Sequence, residues 1–338
     1  MTPADEPAWD RFVHAHPHGS PFHLNAWRSS IAKTFGYRPT YLLAEEEGTL
    51  RGVLPLFLIS NPLMGKVLLS TPFAVYGGVL AESGEAQLAL RDAAAELGAK
   101  EKVQHVELRN AWPEQCVGFE RITRYVTFTQ ELTGTEESLL ESIPRKTRAA
   151  VRKSLKSNFS SRATREPGAF TDLYLANLRR LGTPAFPDSH FRNLLDAFGP
   201  SAADVREMLL DGQVVAAVFT FYFRDQILPY YGASDPAFNP HQPNNYMYWE
   251  LMRQGLASGY RVFDFGRSKI QESGSFDFKS HWGMAVRELP YEILLVRRKA
   301  LPNYSPNNPK FQAFIRIWQK LPLSLTRALG PMLIRLVP

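Results

Sequence analysis

The run "RVFDFGRSK" carries Asp264, Arg267, Ser268 and Lys269 around Gly266, at the close of an apolar stretch. Loops beyond strand ends are where α/β folds bind ligands, and a glycine there lets backbone approach closely. Arg267, Ser268 and Lys269 are therefore candidates to hold a substrate, or Arg267 pairs with Asp264 or Glu272 as a structural bridge. Asp264 reads as a strand-end hydrogen-bonding residue or as a general base. Further upstream, residues 145–165 hold eight Lys or Arg and no acid. On a helix, Arg145, Arg148, Arg152 and Lys156 recur at three and four residues and share one face. Such a face suits a diphosphate, RNA phosphates or anionic lipid, or it is simply solvated. Aromatic residues are scarce within it, so base stacking is not supported.

Covalent chemistry has little to work with. No Ser-His-Asp or Cys-His order is visible, so a direct transfer without an enzyme-bound intermediate is the simpler reading. The single cysteine, Cys116 in "WPEQCVGF", has no neighbouring histidine and excludes both a disulfide framework and a multi-thiolate zinc site. His14, His16 and His18 alternate, but no carboxylate accompanies them closely, and no metal is expected. His281 is a further candidate to assist proton transfer. Asn244 and Asn245 precede "YMYWELMRQG" and read as N-cap residues, with a contact to a ligand phosphate at that helix start as the alternative.

The elements that position these residues are legible as a repeat. The first half reads "YLLAEEEGTLRGVLPLFLI", "KVLLSTPFAVYGGVL" and "AQLALRDAAAELGAKEKVQHVELRN"; the second reads "REMLLDGQVVAAVFTFYF", "QILPYYGAS" and "NYMYWELMRQGLASGYRVFDFGRS". Each predicts a hairpin about an acidic-Gly turn (Glu47-Gly48, Asp211-Gly212). A third strand follows, ending in a Gly loop (Tyr76-Gly77-Gly78, Tyr231-Gly232). Next comes an amphipathic helix stopped by Gly98 or Gly259, then a strand bearing Glu107 or Asp264. Helical material is expected over 20–35 and 136–200. Antiparallel hairpin, strand, helix and strand, given twice, describe two tandem α/β domains with mixed, mainly antiparallel sheets flanked by helices. The expected divisions are 1–134, 135–300 and a basic amphipathic tail, 301–338.

At 338 residues, 44% hydrophobic and 21% charged, the chain has ample material for folded cores. Its net charge of +6 (39 basic, 33 acidic) fits phosphate-bearing or anionic partners. "MTPADEPAWDRFVHAH" lacks the basic-then-apolar start of a signal peptide, and no run reaches about 18 apolar residues. A cytoplasmic place is expected, peripheral at the inner face of the membrane if the tail touches lipid. A tail helix over Phe311 to Lys320 would group Phe311, Phe314, Ile315 and Trp318, packed on the domain or on an anionic membrane.

The repeat resembles the heart of the acyl-CoA N-acyltransferase (GNAT-like) fold, and "DFGRS" followed by "FDFKSHWG" resembles the Fem-type (FemAB-like) aminoacyltransferases, which carry an F-K-x-x-F/W-G element after this strand. "WRSSIAKTFGYRPTYLLA", "GVLPLFLI" and "LLESIPRKTRAAVRKSLK" are similar to further parts of that family. "NLRRLGTPAFP" with "DFGRSK" is similar to the subgroup associated with exosortase/PEP-CTERM exopolysaccharide systems. The resemblance implies an N-acyltransferase acting on an amine of a cell-envelope glycan, peptidoglycan-type or lipid-linked precursor. Its donor would be aminoacyl-tRNA or an acyl thioester, with no tightly bound cofactor. It makes Lys279 the cation at the reaction centre, on a strand sent back along the sheet from a Gly274 turn, and Tyr230 and Tyr231 candidates to protonate the leaving group. Phe276, Phe278 and Trp282 flank Lys279, as core or as a substrate platform. The long coiled-coil arm of some aminoacyl-tRNA ligases has no counterpart in the sequence. The Gly-rich phosphate loop of the acyl-CoA branch is replaced by "GASDPAFNPHQPNNYMYWE". A catalytically silent scaffold that binds an envelope precursor or an assembly partner is the competing expectation.

Overall fold

The structure, a computed structural model, describes residues 1–270, 274–301 and 309–337. The chain opens with α1 (Glu6–Ala15), α2 (Asn25–Phe35), β1 (Arg38–Pro39), β2 (Leu42–Glu46), β3 (Thr49–Leu54), β4 (Phe57–Asn61) and β5 (Gly65–Leu69). It continues through β6 (Leu80–Ala81), α3 (Gly84–Lys100), β7 (His105–Leu108) and β8 (Glu120–Ile122). Then come β9 (Tyr125–Glu131), α4 (Glu136–Ser142), α5 (Arg145–Ser154), β10 (Phe159–Thr164), α6 (Gly168–Leu181) and α7 (Asp188–Phe198). The next stretch holds β11 (Ala203–Leu210), β12 (Gln213–Phe223), β13 (Gln226–Ser234), α8 (Pro243–Ala257), β14 (Val262–Lys269), α9 (Gly274–Ser280) and β15 (Ala285–Glu288). The chain closes with β16 (Tyr291–Leu295), α10 (Pro309–Trp318) and α11 (Leu323–Ile334).

Two compact units divide these elements: Met1–Arg124 with the segments that begin at Glu288 and Met332, and Tyr125–Arg287 with Pro309–Pro331. The first unit has a six-stranded sheet in the order β1-β4-β5-β7-β16-β8 and a three-stranded sheet β2-β3-β6. The second has one seven-stranded sheet, β10-β11-β12-β13-β14-β9-β15. These units differ from consecutive segments 1–134, 135–300 and 301–338 because two strands change sheets. β9 pairs with β14 in the second unit, Asp264 opposite Thr129, and β16 pairs with β7 in the first, Ile293 opposite Glu107.

The repeat survives in this arrangement. Each unit holds a parallel pair, β5 with β7 (Leu69 opposite Glu107) and β13 with β14 (Ile227 opposite Phe263). In each, the second strand of the pair then accepts one of the exchanged strands. Both hairpin turns are as the acidic-Gly pairs predict. Glu47-Gly48 and Asp211-Gly212 all have positive φ, the two-residue geometry that matches strand twist. Separate cores back the sheets, Leu54, Leu68, Leu90, Val106 and Leu108 in one unit and Phe128, Val151, Met208, Val218, Met247 and Phe263 in the other. Full burial of such side chains contributes about 1.5–3 kcal/mol each.

Four local expectations are corrected. "GSFDFKS" is the helix α9, not a returning strand. It has no β-branched residue, and Phe278 packs on Trp282 four residues on, while Phe276 packs on Phe128. The span 136–200 is not wholly helical, because β10 adds an edge strand to β11. Gly98 does not end α3; it lies inside the helix, where an added Cβ would sit 3.0 Å from Val106, so close packing rather than a stop explains it. Tyr231-Gly232 lies within β13 rather than in a loop. Among the described residues, no helix is long and apolar enough to cross a membrane.

Candidate functional site

The centre of the second unit is a bulge in β14. The pairing with β9 slips between Asp264 (opposite Thr129) and Arg267 (opposite Thr127), so one residue is accommodated extra. Gly266 takes it up with φ +66°, the left-handed region that a side chain disfavours. Asp264 is buried and shapes the turn: its Oδ1 accepts from the Gly266 N–H at 2.7 Å and from the Thr127 hydroxyl at 3.1 Å. Those bonds make it a positioning carboxylate rather than a base with a clear path to substrate. Arg267 emerges from the bulge with its guanidinium over the Tyr125 ring, 4.4 Å from the centroid. Ser268 is buried, 3.3 Å from the Ser275 hydroxyl, and Lys269 ends the strand exposed. Glu272, the alternative partner for Arg267, lies outside the described residues.

Lys279 reaches this bulge from α9. Its Nζ donates to the carbonyls of Gly266 and Arg267, both at 3.0 Å, and lies 6.0 Å from the ring centroids of Phe128 and Phe265. Burial among these groups lowers its pKa from 10.5 to about 8; the Asp264 carboxylate opposes the shift and Arg267 adds to it. An ammonium has three N–H donors. Two go to the carbonyls, and the third has no partner among the described residues. The other half of the F-K-x-x-W-G element is structural. Trp282 is 1% exposed within a cluster of Tyr248, Phe265 and Phe278, which places it in the core and not on a substrate surface. Gly283, with φ +71°, lies where a Cβ would come within 2.8 Å of Pro144, the residue that opens α5. His281 is exposed, and its backbone carbonyl accepts from Thr147 of the same helix at 2.6 Å.

The parallel pairing of β13 with β14 stops before the bulge, at Ile227 opposite Phe263. A second bulge follows: Phe219 faces Tyr231, Thr220 faces Pro229, and Tyr230 is the extra residue. Tyr231 is enclosed by Tyr174, Phe186, Phe191 and Phe219, with its hydroxyl 3.4 Å from His190 Nε2. Burial first, then Tyr230 and Tyr174, hold its pKa well above 10, while the Arg267 charge acts in the opposite direction. Tyr231 therefore stays protonated and can act as a proton donor, not as a phenolate base. His190 is driven down to about 3 by burial and stays neutral. Sequence reasoning passed over His190 because nothing in "FPDSHFRN" marks it; only the packing of α7 on the sheet brings it to Tyr231.

The start of α8 does not repeat the expected capping. Gln242, at φ +62°, is the N-cap; Asn244 and Asn245 fall in the first turn, and Asn245 donates to the Gln242 side chain at 2.9 Å. This segment also fits a pyrophosphate poorly. Pro236, Pro240 and Pro243 have no N–H, and the Asp235 carboxylate occupies the Ala237 N–H at 2.9 Å. A coenzyme A diphosphate would meet a carboxylate where it needs donors.

On α5, Thr147, Val151 and Ser154 face inward, and the basic side chains line the opposite face. Arg145, Arg148, Arg152, Lys153 and Lys156 surround an open concavity of about 390 Å³. The helix ends at Ser154, so Lys156 joins from the next turn. Arg148 is steadied by the Glu141 carbonyl at 2.9 Å. In the first unit, His16 Nε2 lies 3.2 Å from the Ala81 carbonyl and His18 packs on Trp112. Cys116 is half-buried, 3.3 Å from the Arg121 guanidinium.

The family model described as an acetyltransferase (GNAT) domain matches residues 145–280, the stretch that runs from the basic helix to Lys279. The crystal structure of FemX superposes with a TM-score of 0.70 at 18% identity, covering 93% of this chain and 98% of that one. The fold is that of a tandem GNAT. A tandem GNAT protein from the clavulanic acid biosynthesis pathway matches with a TM-score of 0.52 at 10% identity, over 88% of this chain and 97% of its own. The C-terminal domain of a candidate lysylphosphatidylglycerol synthetase from Agrobacterium fabrum gives 0.56 at 11% identity, over 86% and 92%. No curated protein matches the sequence. Among the described residues, the lysine-bearing bulge lies in the second unit alone.

Proposed function

We propose that the chain is an N-acyltransferase of the Fem type. It would move an aminoacyl group directly onto an amine of a cell-envelope glycan, peptidoglycan-type or lipid-linked precursor. The observation that carries this reading is the Lys279 ammonium, enclosed at the β14 bulge with one N–H uncommitted among the described residues. A cation held in a low-dielectric site stabilises the oxyanion that forms when an amine attacks an acyl carbon. The C–N bond forms, the ester C–O bond breaks, and the amine's proton leaves with the departing ribose oxygen. Tyr231, kept protonated by burial and within the influence of the Arg267 charge, would give its proton to that oxygen and be reprotonated by the amine's. Arg267 and Ser268 on β14, with Lys269 at its end and Tyr230 beside Tyr231, would hold the acyl group and acceptor.

An aminoacyl ester on tRNA is favoured over an acyl thioester of coenzyme A by the proline-rich, carboxylate-bearing start of α8. The α5 face of Arg145, Arg148 and Arg152 would take phosphates, those of the tRNA or of a diphosphate-linked acceptor, by charge and without reading sequence. A lipid-handling relative by fold, the lysylphosphatidylglycerol synthetase domain, agrees with an envelope substrate.

The test supplies the purified protein with bulk aminoacyl-tRNA, and separately with acetyl-CoA, beside a cell-envelope precursor extract, and follows products by mass spectrometry. Aminoacylated precursor is expected, with Lys279→Met lowering the rate about 10²–10³-fold and an unchanged thermal melt. No transfer by the wild type, as a silent scaffold requires, or an unimpaired Lys279→Met would contradict the reading. Transfer from acetyl-CoA alone would overturn the choice of donor.

A further inference from the structure

As far as Pro331, α11 belongs to the second unit and packs on it by one narrow edge. Thr326 and Gly330 recur four residues apart and are buried, with Gly330 so close that an added Cβ would stand 2.9 Å from the Ala185 backbone. The opposite side of a helix normally carries charge. Here it carries Leu325 (41% exposed), Ala328, Leu329 (37%) and Met332 (68%), at spacings that place all four on one outward face. Arg327 does not shield them, because it turns aside to pair with Asp172. The preceding helix, α10, adds Ile317 at 63% exposure beside the exposed Arg316 and Lys320.

Charge decides what such a face would meet. Beyond Glu292 the chain holds eight Lys or Arg and no Asp or Glu. The segment that bears the ridge supplies cations only, although Asp172 and Asp188 lie near Arg327; an apolar ridge on a basic segment is complementary to an anionic lipid surface, where acyl chains take the apolar residues and headgroups the cations. The helix, about 18 Å long at 1.5 Å per residue, is too short to cross the hydrocarbon and suited to lying along the interface. We infer that α11, assisted by α10, docks the protein on an anionic membrane. The inference is independent of the acyl-transfer reading.

Co-sedimentation of the full chain with vesicles tests it. The protein should partition onto vesicles of equal parts phosphatidylglycerol and phosphatidylcholine, and about tenfold less onto phosphatidylcholine alone. The triple variant Leu325→Ser, Leu329→Ser, Met332→Ser should lose at least about tenfold in partitioning while keeping its melt. Should that variant misfold, Arg316→Gln with Lys320→Gln leaves the apolar face intact and should lower binding to the anionic vesicles about tenfold. Wild-type protein that stays in the supernatant, or charge and apolar variants that bind as it does, would overturn the inference. So would a wild-type dimer in solution that the serine variant dissociates, since the ridge would then be covered by a second copy.

Discussion

The two units end their corresponding strands with similar residues and opposite outcomes. In the first, β7 leads through Glu107 and Leu108 to Arg109, whose guanidinium is buried, paired with Glu107 at 2.9 Å and bonded to the carbonyls of Thr71 and Ala74. Every bond turns inward, and the strand end is a structural knot. In the second, β14 leads through Asp264, Phe265 and Gly266 to Arg267, one residue longer. The extra glycine breaks the ladder, carries Arg267 out to the Tyr125 ring, and leaves two carbonyls for Lys279 to grip. A single inserted residue thus separates a strand end whose arginine is buried in backbone bonds from one that collects a carboxylate, a guanidinium and an ammonium.

Removing that residue should break the contrast most severely. Deletion of Gly266 restores the spacing of the first unit and takes the Lys279 acceptors out of register; transfer should fall at least about 100-fold, measured on protein that still shows cooperative unfolding. Full activity in the deletion variant would mean that the bulge is incidental. The converse change, Arg109→Met, strands the Glu107 carboxylate and should cost about 3 kcal/mol of stability, read by denaturant titration. Transfer per folded molecule should be unaffected; a selective loss of turnover would give the first unit a catalytic role. A smaller effect is expected on the α5 face. Gln at Arg145, Arg148 and Arg152 together should weaken tRNA or diphosphate binding about tenfold and reduce the log–log salt slope by about 2–3. Unchanged affinity and slope would return this face to plain solvation.

Much of this contrast was legible in the residues. The Glu47-Gly48 and Asp211-Gly212 hairpins, the doubled strand–helix–strand order, and the gathering of Asp264, Arg267 and Lys279 all follow from local pattern and the F-K-x-x-W-G element. Those signals are short-range. The exchange of β9 and β16 was invisible because periodicity says that a strand forms, not which sheet takes it. α9 was misread as a strand since seven residues are too few to show a helical period, and Phe276, Phe278 alternate as a strand would. Trp282 looked available and proved enclosed, as burial is decided by partners far along the chain. Asn244 and Asn245 have good capping chemistry, but Gln242 and Pro243 start the helix before them. Phe311 of the tail belongs to the residues whose side chains are not described, while Trp318 docks its indole N–H on the Thr183 carbonyl at 3.1 Å.

The central claim, that Lys279 acts as a buried cation, is tested most directly by the pH dependence of kcat/KM for the wild type and Lys279→Arg. Burial lowers the lysine's pKa to about 8, so its charge is present below that pH and lost as pH rises through it. Wild-type activity should therefore fall along an alkaline limb centred near pH 8, after an acid limb set by the acceptor amine. Arginine does not deprotonate in this range, so the variant, whatever its absolute rate, should lose that limb. A wild-type profile that keeps rising through pH 9, as a neutral lysine base would give, or the same limb in both proteins, would contradict the account.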